Sequence, residues 1–316
     1  MAFIGPVHRI DRFQTMRYRP FGRSGLALST IGLHLPVQGL AKSRGHLEKL
    51  LTAGLESGIN TYHFEGADPK TLSTAADIFS VVERRLLFIS ISACDVASDG
   101  MTYEFAPLKE RLRGAIKDSA LQWLDLVLFD KAGTTSIPDN SYEFVKTLQR
   151  SKMLRYIGAR AGTADLADLI HSRRFDVIRT GFDIDSSSDK RRQIDAAIAN
   201  EMAVFADDTF PEAYRKASDL IPKEAKRGWF GAKAKNPLAG AGTYAFLHQT
   251  PEWTPEELCL GYALSQPSLS CIYVAADSAH HLESLARVPE RHLPSSVPAQ
   301  IEMARFTSHA PKAAVR

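Results

Sequence analysis

Short apolar runs of strand length alternate with amphipathic runs of helix length along almost the whole chain. The strand-like runs are 27–33 (ALSTIGL), 60–64 (NTYHF), 86–92 (LLFISIS), 124–130 (LDLVLFD), 154–159 (LRYIGA), 176–183 (DVIRTGFD), 203–207 (AVFAD) and 271–276 (CIYVAA). They are aliphatic and β-branched without polar alternation, which suits strands buried on both faces of a parallel sheet. Between them the period changes. In 46–57, Leu47, Leu50, Leu51 and Leu55 recur at three- and four-residue steps, and Gly58 stops the run. In 108–123, Leu108, Leu112, Ile116 and Leu121 hold one face. Thr254, Pro255, Glu256 and Glu257 open the last long helix with a cap, a proline and two first-turn acids.

Eight such alternations predict an α/β chain folded as a single (β/α)₈ TIM barrel. Two segments depart from the repeat. Residues 17–26, with the first strand-like run, predict a β-hairpin around Gly22 to Gly25, and 221–250 form a long loop before the last helix. The expected organisation is an extension over 1–15, one barrel over 16–308 and a flexible tail over 309–316.

Composition narrows the partners more than the fold. Charged residues are 24% and the apolar set 44% of 316 residues, which are globular values and exclude low-complexity classes. No apolar window is long enough to span a membrane, and Arg9, Asp11 and Arg12 fall where a secretory leader needs its apolar core, so a cytoplasmic protein is expected. Cys94, Cys259 and Cys271 are odd in number and form no CxxC pair, arguing against a disulfide or cysteine-rich metal scaffold. The net charge of +3 is spread in alternating signs, giving no case for a nucleic-acid partner.

The segment M-R-Y-R-P-F-G-R-S-G-L-A-L-S-T-I-G-L at 16–33 resembles the opening of the aldo-keto reductase superfamily. A-G-L-E-S-G-I-N-T at 53–61, L-D-L-V-L-F at 124–129, L-R-Y-I-G at 154–158 and the stretch 256–273 continue that resemblance in register. It is nearest the branch of potassium-channel β subunits and glyceraldehyde-phosphate reductases. It implies hydride transfer from NADPH to a carbonyl, with a tyrosine as acid supported by lysine, aspartate and histidine.

The tetrad itself is substituted. Where the family carries D-T-A-x-x-Y-G, this chain reads H-F-E-G-A-D-P, so His63 stands at the aspartate position and Asp68 at the tyrosine position. Ser92 stands at the lysine position and Asp130 at the histidine position. Tyr62 is out of phase with His63 on its strand, and Tyr103 has no lysine at the required strand end. The cofactor positions change too. Arg160 and Arg179 stand where the nicotinamide amide is held, Asp207 where an aromatic stacks on it, Asp277 near the 2′-phosphate, and Leu285 in place of an asparagine. Neither ordinary carbonyl reduction nor NADPH binding through the usual contacts is expected.

The predicted barrel mouth gathers His63, Glu65, Asp68, Asp130, Arg160, Arg179, Asp183 and Asp207, with Asp95, Lys131, Asp185 and Asp208 nearby. A metal ion on His63, Glu65 and Asp130, or another small cation, is one expectation for that pocket; helix capping by the carboxylates is the plainer one. The loop around Lys226, Arg227, Trp229, Phe230 and Lys233 combines cations and aromatics that could dock an anionic partner or pack on the barrel. The leading expectation is a catalytically degenerate protein acting through binding, as a regulatory or assembly subunit with a protein partner. The alternatives are an NAD(P)H-dependent oxidoreductase with atypical residues, or a non-redox enzyme using the acidic mouth.

Overall fold

A computed structural model describes residues 16–22, 24–36, 43–66, 68–94, 103–130, 136–211 and 244–309. Strands β1 (Tyr18–Pro20) and β2 (Ala27–Ser29) form an antiparallel hairpin. Eight further strands close a parallel barrel: β3 (Ile31–Leu35), β4 (Thr61–Phe64), β5 (Phe88–Ser92), β6 (Leu124–Phe129), β7 (Leu154–Arg160), β8 (Val177–Gly181), β9 (Ala203–Asp207) and β10 (Cys271–Val274). They are hydrogen-bonded in chain order, and β10 pairs with β3 to close the ring.

Helices α1 (Arg44–Glu56), α2 (Pro69–Phe79), α3 (Phe105–Lys117), α4 (Asp139–Arg150), α5 (Thr163–Ser172) and α6 (Ser188–Ala199) follow β3 to β8. Then α7 (Pro255–Leu264) precedes β10, and α8 (Ala279–Arg287) and α9 (Ser296–His309) complete the described chain. The starts of these helices follow from local chemistry. Ser43, Asp68, Ser187 and Ser278 each accept a first-turn N–H, and Thr254 with Glu257 forms the full capping box that the T-P-E-E sequence predicts. Gly58 ends α1 with φ +77°, and a Cβ there would stand 2.9 Å from Cβ of Met16, so only glycine fits.

Some predicted boundaries move. The run 27–33 divides at Thr30 into hairpin strand β2 and barrel strand β3. The run 86–92 begins as strand only at Phe88, because Arg84–Leu86 is a 3₁₀ turn. The helix expected over 108–123 is α3, which ends at Lys117; Ala120 and Gln122 adopt positive φ in the loop beyond it, and Leu121 reaches the core from there. The long loop before α7 falls mostly outside the described residues, as do the 1–15 extension and most of the tail.

The barrel's interior is layered by the twofold alternation of its strands. At the N-terminal end Phe21, carried in by the hairpin, packs on Phe88, Tyr156 and Phe205 at ring separations of 5.2, 4.7 and 5.8 Å. This apolar floor shuts that end. Outside it, buried Asp125 ties β6 to its neighbours: Arg84 lies 2.8 Å and Arg155 2.9 Å from its oxygens, and the Ile89 N–H donates to it at 2.9 Å. What remains open to chemistry is the other end of the barrel.

Candidate active site at the barrel mouth

Alternation dictates which residues reach the interior above the apolar floor. Two residues on from Gly32 is His34; from Thr61, His63; from Ser90, Ser92; from Leu128, Asp130; from Gly158, Arg160; from Val177, Arg179; from Phe205, Asp207; and from Cys271, Tyr273. Each of the eight barrel strands thus supplies a polar group, and the described structure joins them into one buried network.

Its charged half is built on Asp207. Arg179 Nε donates to Asp207 Oδ2 at 2.7 Å, Arg160 Nε donates to the same oxygen at 2.8 Å, and Arg160 Nη2 reaches Asp208 at 2.6 Å. Burial alone would raise the Asp207 carboxyl, but Arg179 and Arg160 outweigh it and hold it at about 2. Arg179 Nη2 also donates to His34 Nδ1 at 3.3 Å. A guanidinium only donates, so Nδ1 is the acceptor and Nε2 carries the proton; Nε2 lies 2.9 Å from Glu65 Oε1 without the alignment of a hydrogen bond. Burial, reinforced by Arg179, keeps His34 below its ordinary pKa and therefore neutral at pH 7.

The uncharged half is a chain of side chains. Ser90 gives its single proton to the Tyr62 carbonyl oxygen at 3.2 Å. Its oxygen is also within hydrogen-bonding distance of His63 Nδ1, at 2.8 Å, and of the Tyr273 hydroxyl, at 3.1 Å. His63 Nε2 faces Ser92 Oγ at 3.5 Å, and Ser92 is hydrogen-bonded to Asp130. His63 is fully buried, and desolvation, with Arg179 and His34 close by, holds it far below its usual pKa. Burial raises the Tyr273 phenol, whose ring lies 5.1 Å beneath the Arg179 guanidinium. Asp130 is 7% exposed, and its Oδ2 has no hydrogen-bond partner. Desolvation pushes its carboxyl up to about 6, against the opposing influence of Arg179.

At the rim, Lys190 in the first turn of α6 faces Asp183, Asp207 and Asp208, and burial lowers its ammonium. Beside the network a cavity of about 370 Å³ opens between β3, β9 and β10, bordered by His34, Asp207, Tyr273, Glu256, Asp277 and His281.

The predicted mouth set thus divides. His63, Glu65, Ser92, Asp130, Arg160, Arg179 and Asp207 come together. Asp68 does not join them: its carboxylate caps α2, accepting from the N–H and hydroxyl of Thr71, both at 2.9 Å. Asp183 is engaged locally with Ser186 and the Asp185 N–H at 3.0 Å each. Asp277 is exposed and lies 3.2 Å from His281, which also meets Glu256. Leu285 belongs to the apolar core beneath α8. His63, Glu65 and Asp130 do not form a ligand set, because His63 meets serine hydroxyls and Glu65 meets His34; among the described residues no three metal-ligating side chains converge. Asp95, Lys131 and the loop with Lys226, Arg227, Trp229, Phe230 and Lys233 lie outside the described residues. Tyr62 points outward as expected, its ring tilted against that of Phe79 at 4.6 Å. Sequence reasoning missed His34, Tyr273 and Lys190. The first two were readable by stepping two residues beyond Gly32 and Cys271 on their strands.

No family model matches the chain, and no curated protein matches it. Solved structures do. An aldo-keto reductase from Bacillus halodurans in its holo form superposes with a TM-score of 0.68 at 14% identity, over 92% of this chain and 96% of that one. The chain has the aldo-keto reductase fold. Two structures from Pseudomonas aeruginosa assigned to aldo-keto reductases agree, with TM-scores of 0.63 and 0.62 at 13% and 14% identity. Each covers 88% of this chain, and 97% and 96% of its own length. The likeness therefore covers about nine-tenths of the chain, while so low an identity carries the fold and not the chemistry.

Proposed function

We propose that this chain uses the aldo-keto reductase barrel as a binding protein and does not run NADPH-dependent carbonyl reduction. One observation carries the reading. Arg160, Arg179 and Asp207, which stand where the resemblance puts the nicotinamide contacts, are bonded to one another. A neutral amide and a stacking aromatic are replaced by a closed ion-pair cluster, which offers a nicotinamide neither its hydrogen bonds nor a face to stack on. The residues present do not fit the dinucleotide at its far end either, since the Asp277 carboxylate would repel a 2′-phosphate.

The acid chemistry points the same way. A phenol serves as a proton donor at neutral pH when a neighbouring cation lowers its pKa. Tyr273 has no lysine beside it among the described residues, and burial pushes its phenol above the ordinary value despite the opposing influence of the Arg179 guanidinium. The binding role extends naturally to a regulatory or assembly subunit with a protein partner. Its test is turnover: with NADPH and a panel of aldehydes and ketones, absorbance at the nicotinamide band should decay no faster than in buffer. Saturable, enzyme-dependent oxidation of NADPH would overturn the proposal.

A further inference from the structure

Asp130 is a buried carboxylate of the network with an oxygen that no donor in the described structure meets. Arg160 and Arg179 are engaged by Asp207, and Arg160 also by Asp208. Lys190 faces Asp183, Asp207 and Asp208. The groups around Asp130 are Ser92 from β5, which hydrogen-bonds it; Glu65 beyond β4, which repels its charge; and Arg160 and Arg179 from β7 and β8, which favour it from their places on Asp207. The histidines of the network, His34 and His63, are held neutral. One carboxylate oxygen, Oδ2, is left without a donor although the residue is more than nine-tenths buried. A buried acceptor in that state costs free energy until a donor meets it.

We propose that the barrel mouth binds a small primary ammonium, whose N–H groups donate to Asp130 Oδ2. Within the described residues the mouth sets three cations, Arg160, Arg179 and Lys190, against five carboxylates, Glu65, Asp130, Asp183, Asp207 and Asp208, an excess of negative charge that favours a cationic ligand over an anion. An ammonium suits one buried carboxylate oxygen because it is compact and carries three donors, whereas a planar guanidinium presents a wider fork of donors. A divalent metal would need several converging ligands, and among the described residues none gather around Asp130. The assignment rests on the reading that no nicotinamide fills the mouth, and it names the ligand class that does.

Burial holds the Asp130 carboxyl near 6, so binding a cation must displace a proton below that pH. The full-length protein is titrated calorimetrically with methylammonium and n-butylammonium, with n-butanol as the neutral analogue, at about pH 5 and about pH 7.5. Saturable binding of an amine is expected, about tenfold tighter at the higher pH, because only about a tenth of the carboxyl is ionised at the lower. D130N should weaken it by at least about tenfold, and D68N, at the exposed cap, should leave it unchanged.

No saturable heat with either amine, equal binding of n-butanol, or full retention in D130N would each overturn the proposal. So would manganese binding that D130N abolishes while the amines fail. Because the pH comparison uses unaltered protein, it stands whatever D130N does to folding. NADPH titrated into the same sample separates the two claims: NADPH binding defeats the reading that no nicotinamide fills the mouth, while amine failure alone defeats only the ligand assignment.

Discussion

Asp130 and Asp207 end adjacent layers of one barrel, yet their surroundings drive them in opposite directions. Two arginines hold Asp207 at about 2, and desolvation without a dedicated counter-ion lifts Asp130 to about 6. The signs of their effects on stability differ accordingly. Asp207 contributes stability that is present above its ordinary value of 3.8 and lost as pH falls through about 2. Asp130, with its folded value raised above 3.8, contributes stability that is full below 3.8 and lost as pH rises through about 6. The loss is on the order of 3 kcal/mol if the whole shift is realised. D130N should therefore be more stable than the parent protein above about pH 7 and close to it near pH 4, read from urea midpoints. Equal midpoints across that range would show that the carboxyl is not raised.

At the scale of strands, the mouth depends on how closely β3 and β10 approach. A Cβ on Gly32 would sit 2.9 Å from two ring carbons of Tyr273 and 3.0 Å from Sγ of Cys271. The ring is wedged among His34, His63 and Phe205, so it has little room to yield. G32A should cost about 1–3 kcal/mol in overpacking and loosen the Tyr273–Ser90 contact, seen as a lower Tm and changed near-UV circular dichroism. An unchanged spectrum and Tm would mean that β10 shifts freely.

Such registers mark the limit of what was legible beforehand. The strand runs and helix caps lie in local sequence, so the barrel, the hairpin and the Thr254 cap were all readable. The inward face of each strand was readable too, and it placed His63, Asp130, Arg160, Arg179 and Asp207 together. The pairing of Arg160 and Arg179 on one carboxylate, and the reach of Ser90 to both His63 and Tyr273, depend on contacts between strands distant in the chain. Asp68 follows the plainer of its two readings, drawn away from the mouth by the free N–H groups of α2.

For the molecule as a whole, an apolar floor under the hairpin and a polar mouth at the opposite end give the described barrel one polar end. At that end the aldo-keto reductase fold is kept, and the residues are organised around internal ion pairs. The direct test is titration of NADPH into the protein, followed by nicotinamide fluorescence. The Arg160–Asp207–Arg179 cluster predicts no saturable change in intensity or wavelength up to submillimolar cofactor. An enhanced or shifted emission that saturates with micromolar affinity would contradict it.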